Sequence, residues 1–361
     1  MFNFSKKLID WYLQNKRELP WRKTRDPYRI WLSEIILQQT RVEQGMPYYF
    51  RFVEAYPDIR ALANAAEDEV LKLWQGLGYY SRARNLHATA KKVAFDLDAR
   101  FPNTYAEIKK LKGVGDYTAS AIASICFDEA EAVVDGNVYR VLSRVFGIDT
   151  PIDSTSGKKE FKALAQQLID PKDPATFNQA LMEFGATQCK PKNPYCLHCP
   201  FQQDCLAYAS GKINELPVKQ GKTKVRDRYF NYLIVLGPSG ETILRQRDKK
   251  GIWGGLFEFP LLETEKPLKE TRFRESVKKL KLPGAQSDVA IEDLNEQSLI
   301  ALTSEAIIHK LSHQKLHVHF WLLKLKEVSG LQTIHYTEFE TYAVPRVIDR
   351  FMEDFDFKQY L

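Results

Sequence analysis

The chain has 361 residues, enough for roughly two or three domains, and its 44% hydrophobic and 27% charged residues are ordinary for a globular protein. Its net charge of +6 suits a polyanionic partner but does not require one. No apolar run is long enough to span a bilayer and the N-terminus has no apolar signal core, so we expect a cytoplasmic protein.

Residues 1–210 have the periodicity of a helical region. The apolar face of a first helix would consist of Phe4, Leu8, Trp11 and Tyr12. Further amphipathic segments, separated by Pro, Gly and Asp, lie at 30–40, 66–75, 81–96, 117–127, 138–146 and 158–169.

The hydrophobic period changes after a basic stretch at 211–227 that has the composition of a solvated linker. Strands are predicted at 228–236, 241–247 and 317–325, with a helix at 268–280. The sequence therefore predicts a mostly α N-terminal region, a linker and a smaller α+β domain at 228–361.

Four of the five cysteines are clustered with the spacing C-x6-C-x2-C-x5-C, at Cys189, Cys196, Cys199 and Cys205. In a reducing compartment such clustering indicates a metal site rather than disulfides. Four thiolates suit either one tetrahedral ion such as zinc or one cubane cluster, and the residue types alone leave both open.

The segment LKGVGDYTA (111–119) places two glycines between two predicted helices. We expect Gly113 and Gly115 to adopt backbone angles closed to other residues and to turn backbone N–H groups toward one anion. An ordinary helix–helix turn is the alternative. Downstream, Asp135 begins DGNVYRVLSR at a helix start, where an aspartate is a favoured N-cap.

The order of the hairpin, DGNV and four-cysteine loop resembles that of helix-hairpin-helix DNA glycosylases. The segments LPWRKTRDPYRIWLSEIILQQTRV (19–42) and GLGYYSRARNL (76–86) are similar to the MutY-type adenine glycosylases in particular. The resemblance covers most of residues 18–206. It implies a helix-hairpin-helix domain at roughly 22–130 and an iron–sulfur domain at roughly 1–21 and 131–210, whose four cysteines hold a structural 4Fe-4S cluster.

The C-terminal segment WGGLFEFP (253–260) resembles the start of a Nudix fold. The segment 268–282 has no adjacent acidic pair, so we expect a lesion-reading domain rather than a Mg²⁺-dependent hydrolase. The loop KLSH (310–313) is similar to the loop with which this family reads 8-oxoguanine, although Leu311 stands where Phe is common. Ser312 would contact the lesion and His313 would assist.

The implied activity is removal of adenine opposite 8-oxoguanine or guanine in double-stranded DNA, by a monomeric enzyme acting on the bacterial nucleoid. Cleaving this N-glycosidic bond needs an acid for the departing base and a carboxylate for the cationic sugar. By the resemblance, Glu34 is the acid, and its apolar helix favours a protonated carboxyl. Asp135 stabilises the cation, while Tyr117 and Asn137 hold the sugar and the carboxyl groups.

Bifunctional members of the superfamily have a lysine at the position of Tyr117, and tyrosine cannot form their Schiff base with the sugar. We therefore expect a monofunctional enzyme. The alternatives are a bifunctional endonuclease III-like glycosylase and a catalytically silent iron–sulfur DNA-binding protein.

The resemblance also implies the residues that hold the DNA. The adenine pocket would contain Trp21, Arg22 and Glu183. The wedge that replaces the extruded base would contain Tyr79, with Leu77 nearby, and the partner base would be contacted by Gln39 and Thr40. The DNA backbone would be contacted by Gly113, Gly115, Lys190 and Lys192.

Overall fold

The structure is a computed structural model that describes residues 3–221, 225–278, 280, 282–283 and 299–361. Its contacts form two compact units, the first made of residues 3–65 and 84–221 and the second of residues 66–83 with the described residues from 225 onward. The grouping of 66–83 with the second unit was not predicted. Parts of three predicted segments lie outside the described residues. They are residues 222–224 of the expected linker, residue 279 of the expected helix and residue 281 of the segment 268–282.

The described helices are, in chain order, α1 (Phe4–Asn15), α2 (Pro27–Leu37), α3 (Val42–Ala55), α4 (Ile59–Asn64), α5 (Glu67–Trp74), α6 (Ser81–Lys91), α7 (Tyr105–Ile108), α8 (Asp116–Phe127), α9 (Gly136–Phe146), α10 (Thr155–Leu168), α11 (Pro174–Thr187), α12 (Leu206–Ala209), α13 (Glu270–Val277) and α14 (Arg346–Glu353). Of these, α2, α5, α6, α8, α9 and α10 correspond to the six amphipathic segments. In α1 the predicted face is buried at Phe4, Leu8 and Tyr12. None of the described helices is long and apolar enough to cross a membrane.

Two long helices were not predicted. The α3 helix contains Pro47 in its interior, which normally counts against a helix. The α11 helix is buried along most of its length, from Pro174 to Gly185, so it lacks the polar stripe that marks a surface helix. The internal proline of α3 and the burial of α11 explain why neither helix was predicted.

The core of the first unit is built by packing of α2 against α8 and of α11 against α1, α8 and α9. Fully buried aromatic side chains such as Trp31, Phe177 and Phe184 fill this core. The same helix contacts bring α2, α8, α9 and α11 around one cavity, although these helices are far apart in the sequence.

The second unit contains strands β1 (Arg226–Leu236), β2 (Glu241–Thr242), β3 (Arg245–Gln246), β4 (Phe257–Glu258), β5 (Leu261–Thr264), β6 (Leu299–Ala301), β7 (Ile307–Lys310), β8 (Gln314–Lys324) and β9 (Ile334–His335). The main sheet has the order β5-β1-β8-β6, and β7 also pairs with β8. The long strands β1 and β8 are parallel and in register from Arg226 opposite Gln314 to Leu236 opposite Lys324. The strand predicted at 241–247 is divided into β2 and β3.

The residues 66–83 are tied to the rest of the second unit by polar contacts. The Glu67 carboxylate pairs with Lys249 at 2.8 Å. The side chain of Gln75 donates to Asp349 at 2.8 Å and accepts from the backbone amide of Val344 at 3.1 Å. These contacts explain why the segment belongs to the same compact unit as the sheet.

A buried carboxylate lies at the centre of the second unit. Glu258 on β4 is 1% exposed and pairs with both Arg245 and Arg247, while the Tyr232 hydroxyl donates to it at 3.0 Å. Because the Glu258 carboxylate is removed from water, it depends on these three donors to stabilise its charge.

We expect Glu258→Ala to lower the free energy of unfolding by about 3 kcal/mol, because Arg247 is then buried without its counter-charge. Urea unfolding of the full chain measures the change. Glu263→Ala is the matched control, since Glu263 on β5 pairs with Arg228 on β1 but is 38% exposed, and we expect a loss of at most about 1 kcal/mol. Equal losses in the two variants would contradict the buried role of Glu258.

Candidate active site

A cavity of about 600 Å³ opens in the first unit, between α2, α8, α9 and α11. The structure brings ten of the predicted site residues to its walls: Trp21, Arg22, Glu34, Gln39, Thr40, Gly115, Tyr117, Asp135, Asn137 and Glu183. Four separate stretches of the chain therefore contribute to one concave, water-accessible pocket, which is the usual form of a small-molecule or nucleotide site.

Glu34 lies on α2 and is 8% exposed. Burial is the largest influence on its carboxyl group and raises its pKa to about 7, with a smaller contribution from the negative charge of Asp135. A hydrogen bond with Tyr117 and the charge of Arg22 act in the opposite direction. A carboxyl group with this pKa can donate a proton near neutral pH.

Tyr117 lies in the first turn of α8 and extends into the same cavity. Its hydroxyl group hydrogen-bonds with Glu34 and lies 3.2 Å from the Met182 sulfur. Burial, followed by the nearby charges of Glu34 and Asp135, raises the pKa of Tyr117 well above its ordinary value. The side chain is therefore a neutral hydrogen-bonding group at any physiological pH.

Asp135 is the N-cap of α9, as predicted. Its Oδ1 atom accepts from the backbone amides of Asn137 at 2.9 Å and Val138 at 2.8 Å, and its Oδ2 atom accepts from the Asn137 side-chain amide at 2.8 Å. Burial raises the pKa of Asp135, and these hydrogen bonds limit the rise by stabilising the ionised form. Asp135 is thus held as an oriented carboxylate.

Arg140 connects this carboxylate to the cysteine loop. Its Nη2 atom donates to Oδ1 of Asn137 at 2.8 Å and to the carbonyl of Gly185 at 2.6 Å. Its Nε atom donates to the carbonyl of Cys189 at 2.7 Å. The position of Asn137 therefore depends on the backbone of the loop that begins at Cys189.

Glu183 is 1% exposed and is surrounded by donors. The backbone and side chain of Arg17 donate to it at 3.1, 2.7 and 2.8 Å, and Arg22 donates at 2.8 Å. Burial alone would raise the pKa of Glu183, but these hydrogen bonds lower it to about 2. Four donors occupy the roughly four lone-pair sites of a carboxylate, so in this conformation Glu183 orients Arg17 and Arg22.

The cavity residues that were not predicted include Arg17, Gln38 and Met182. Arg17 stands just before the motif PWR, but its carboxylate partner Glu183 is 166 residues away, so no local pattern reveals its role. Gln38 donates to the Thr118 hydroxyl at 3.1 Å, a contact between α2 and α8 that local sequence does not reveal.

The two hairpin glycines differ. Gly113 has φ +78°, and a Cβ atom there would lie 2.6 Å from the Cβ of Asn85, so this position requires glycine. Gly115 has φ −94° and ψ −178°, which is ordinary extended backbone, and a Cβ atom there would meet no atom within 4 Å. The expectation of unusual backbone angles is confirmed for Gly113 and wrong for Gly115.

Four predicted residues belong to the second unit. Tyr79 is 48% exposed and has φ +49° in the turn before α6, whereas Leu77 is only 5% exposed. Ser312 and His313 are exposed in the turn between β7 and β8, where the Ser312 hydroxyl lies 3.1 Å from Nδ1 of His313. Their contacts with DNA remain predictions.

The four clustered cysteines line one small cavity in the first unit. Arg144 donates to the Cys189 sulfur at 3.5 Å, and backbone amides of Phe201 and Ala207 face the sulfurs of Cys199 and Cys205. Such N–H groups stabilise thiolate ligands, so the residues fit an iron–sulfur cluster. Within the described ranges, no three His, Cys, Asp or Glu side chains are placed to hold a single metal ion.

The loop between the first two of these cysteines carries Lys190 and Lys192. Both side chains are exposed. They remain available to a phosphate, as the sequence predicted, and their contact with DNA stays a prediction.

The raised pKa of Glu34 makes stability depend on pH. The pKa of an ordinary glutamate is 4.5 and that of Glu34 is about 7, so the folded protein binds this proton more tightly than the unfolded chain does. The stabilisation of the folded protein by this proton is present at low pH and is lost as the pH rises through 7. At pH 8 we expect the free energy of unfolding of Glu34→Gln to exceed that of the parent by up to about 3 kcal/mol. Urea unfolding measures this difference. The difference should shrink toward pH 5, and a pH-independent difference would contradict the burial of an ionisable Glu34.

Comparison with known proteins agrees with this arrangement. Residues 32–171 match the HhH-GPD superfamily base excision DNA repair protein model, and residues 231–354 match the NUDIX domain model. The solved structure of a thermostable thymine-DNA glycosylase aligns with a TM-score of 0.54 and 31% identity, covering 57% of this chain and 95% of that one.

Two curated relatives extend over both regions. The adenine DNA glycosylase of Mus musculus is 36% identical over 90% of this chain and 71% of its own length. The adenine DNA glycosylase of Buchnera aphidicola is 29% identical over 98% of this chain and 97% of its own length. The chain therefore belongs to the adenine DNA glycosylase family, with a helical HhH-GPD region followed by a NUDIX domain.

Proposed function

We propose that this protein is a monofunctional DNA glycosylase of base excision repair that removes adenine opposite 8-oxoguanine or guanine. The observation that carries the proposal is the meeting of Glu34, Tyr117 and Asp135 in one cavity of about 600 Å³. A protonated acid and an oriented carboxylate are the two groups that acid-assisted cleavage of an N-glycosidic bond requires.

In the proposed reaction, Glu34 donates its proton to N7 of adenine as the bond between base and sugar breaks. The sugar becomes oxocarbenium-like, and the carboxylate of Asp135 stabilises this positive charge. The Glu34 carboxylate then accepts a proton from the attacking water, whose oxygen bonds to the sugar carbon. Free adenine and an abasic site are the products, and Glu34 regains its starting protonation state.

Trp21 and Arg22 are suited to hold the extruded adenine. Trp21 is 7% exposed, and its ring is fixed edge-on against Tyr49 at 5.2 Å. Arg22 is oriented by Glu183, so it can donate to a ring nitrogen without first losing side-chain freedom. We propose that Glu183 acts through these arginines and need not touch the base.

A monofunctional reaction follows from the side chains around the cavity. Tyr117 occupies the position from which a lysine would attack the sugar, and the residues described around the cavity include no lysine. This disfavours the bifunctional alternative. The convergence of Glu34 and Asp135 disfavours a catalytically silent DNA-binding protein.

Double-stranded DNA containing the A:8-oxoguanine or A:G pair is the proposed partner. An adenine must leave the duplex to enter the cavity, at a cost of a few kcal/mol. The exposed ring of Tyr79 can stack into the space it leaves. Gln39 and Thr40, at the mouth of the cavity, are suited to contact the partner base.

We further propose that the four cysteines hold a 4Fe-4S cluster with a structural role. When bound, the cluster would fix the loop 189–205, whose backbone at Cys189 accepts from Arg140 and at Lys190 from Arg144. This loop would then present Lys190 and Lys192 to DNA phosphates. We place the enzyme in the bacterial cytoplasm, as a monomer acting on the nucleoid.

The activity is tested with a duplex that holds one A:8-oxoguanine pair and is treated with alkali after incubation. We expect strand breakage at the adenine with the parent protein, and at least a roughly 10²-fold slower release with Glu34→Gln, because the amide cannot transfer a proton. Duplex binding should persist in the variant. Glu54→Gln, at an exposed position on α3, is the control and should keep the parent rate.

Failure of the parent protein to release adenine would overturn the proposed function. Unchanged release by Glu34→Gln would remove Glu34 from the reaction.

The lesion-reading role of Ser312 is tested by Ser312→Ala. Loss of one hydrogen bond to the lesion should reduce the preference for A:8-oxoguanine over A:G by about five-fold. The ratio of single-turnover rates on the two duplexes measures it. Ser239→Ala, in the exposed turn after β1, is the control, and an equal change in both variants would contradict a specific contact at Ser312.

A further inference from the structure

A second groove, of about 610 Å³, opens in the first unit beside the candidate active site. We call it the α10 groove, and its walls include Tyr117, Tyr139, Lys158, Lys159, Lys162 and Ala163. Tyr117 and Asp116 line both this groove and the catalytic cavity. None of the predicted functions used α10.

The charges of the α10 groove do not cancel. Glu131 is neutralised by Lys162 at 3.1 Å, and Asp116 is neutralised by Lys109 at 2.5 Å. Lys158 and Lys159 are exposed and make no ion pair within the part of the chain that the structure describes. The groove therefore keeps two positive charges, both on α10, for a negatively charged occupant.

The groove also has an aromatic wall. The half-buried ring of Tyr139 is held edge-on against Phe161 at 5.1 Å, so its position does not depend on a ligand. Tyr105 also lines the groove, and its ring lies 5.6 Å from the ammonium group of Lys162. A groove that contains both aromatic rings and unpaired lysines suits a nucleic-acid strand, which offers bases for stacking and phosphates for pairing.

We propose that the α10 groove holds the adenine-bearing strand next to the extruded nucleotide, with Lys158 and Lys159 paired to its phosphates. This inference rests on the proposed function, which places the sugar of that nucleotide against Tyr117. The strand continues covalently from this sugar, so it must leave the catalytic cavity through an adjoining space. The α10 groove adjoins it at Tyr117 and carries the complementary charge.

The first test measures the salt dependence of binding to a duplex in which 2′-fluoro-deoxyadenosine replaces the adenosine, so that the bond is not cleaved. A plot of log K against log salt concentration has a negative slope, and each lost phosphate contact reduces its magnitude by roughly 0.9. The double variant Lys158→Ala with Lys159→Ala should therefore reduce the magnitude by about 1.8. Lys91→Ala with Lys92→Ala removes the same charge from an exposed site outside the groove and should leave the slope unchanged. Equal slopes for the two double variants would overturn the inference.

A second variant tests the groove without removing a lysine. Ala163 is exposed on α10, so Ala163→Glu and Ala163→Gln fit the helix equally well and differ only in charge. The glutamate should weaken binding of the same duplex about five-fold relative to the glutamine, through repulsion of nearby phosphates. Equal affinities of the two variants would overturn the inference.

The strand is identified with neutral methylphosphonate linkages placed one at a time on either side of the adenine or of its partner. In the adenine strand, a methylphosphonate at one or more positions should weaken binding by the parent protein. The same substitution should not further weaken binding by the Lys158→Ala, Lys159→Ala double variant. Additive effects at every linkage of that strand would overturn the inference.

Adenine release from the unmodified duplex is scored separately. A parent protein that binds through the groove but releases no adenine would therefore overturn only the proposed activity.

Discussion

The candidate active site depends on two carboxyl groups that are buried in one cavity but have different surroundings and hydrogen-bond partners. Glu34 lies among the buried apolar residues of α2, and burial raises its pKa to about 7. Asp135 is also buried, but three hydrogen bonds from Asn137 and Val138 support its charge. Two similar groups are thus supported differently, and in the proposed reaction Glu34 donates a proton while Asp135 remains an anion.

This division of roles depends on contacts between distant parts of the chain. The cap at Asp135 is local, because a helix N-terminus supplies the donors. The orientation of Asn137 depends on Arg140, which is fixed by carbonyl groups at Gly185 and Cys189. Arg144 in turn contacts the carbonyl groups of Lys190 and Leu216. The cysteine loop therefore supports the active site through arginine side chains.

Much of the fold and site could be predicted from sequence, because surface helices carry a visible period and the motifs carry the chemistry. Burial removed that signal from α11, which is buried along most of its length and carries buried polar residues such as Glu183. The partnership of Arg17 with Glu183 spans 166 residues and has no local pattern. The strand predicted at 241–247 is interrupted, since alternation of residues does not show where pairing partners end.

The residues proposed to cleave the bond and those proposed to read the lesion belong to different compact units. Glu34, Tyr117 and Asp135 belong to the first unit, whereas Tyr79 and Ser312 belong to the second. The segment that carries Tyr79 is bound to the rest of the second unit through Glu67 and Gln75, so the proposed wedge and the proposed lesion contact belong to one compact unit. Substitutions in the second unit should therefore change the preference among adenine mispairs. They should leave the pKa of Glu34 unchanged, because its own helix and its neighbours in the first unit determine that pKa.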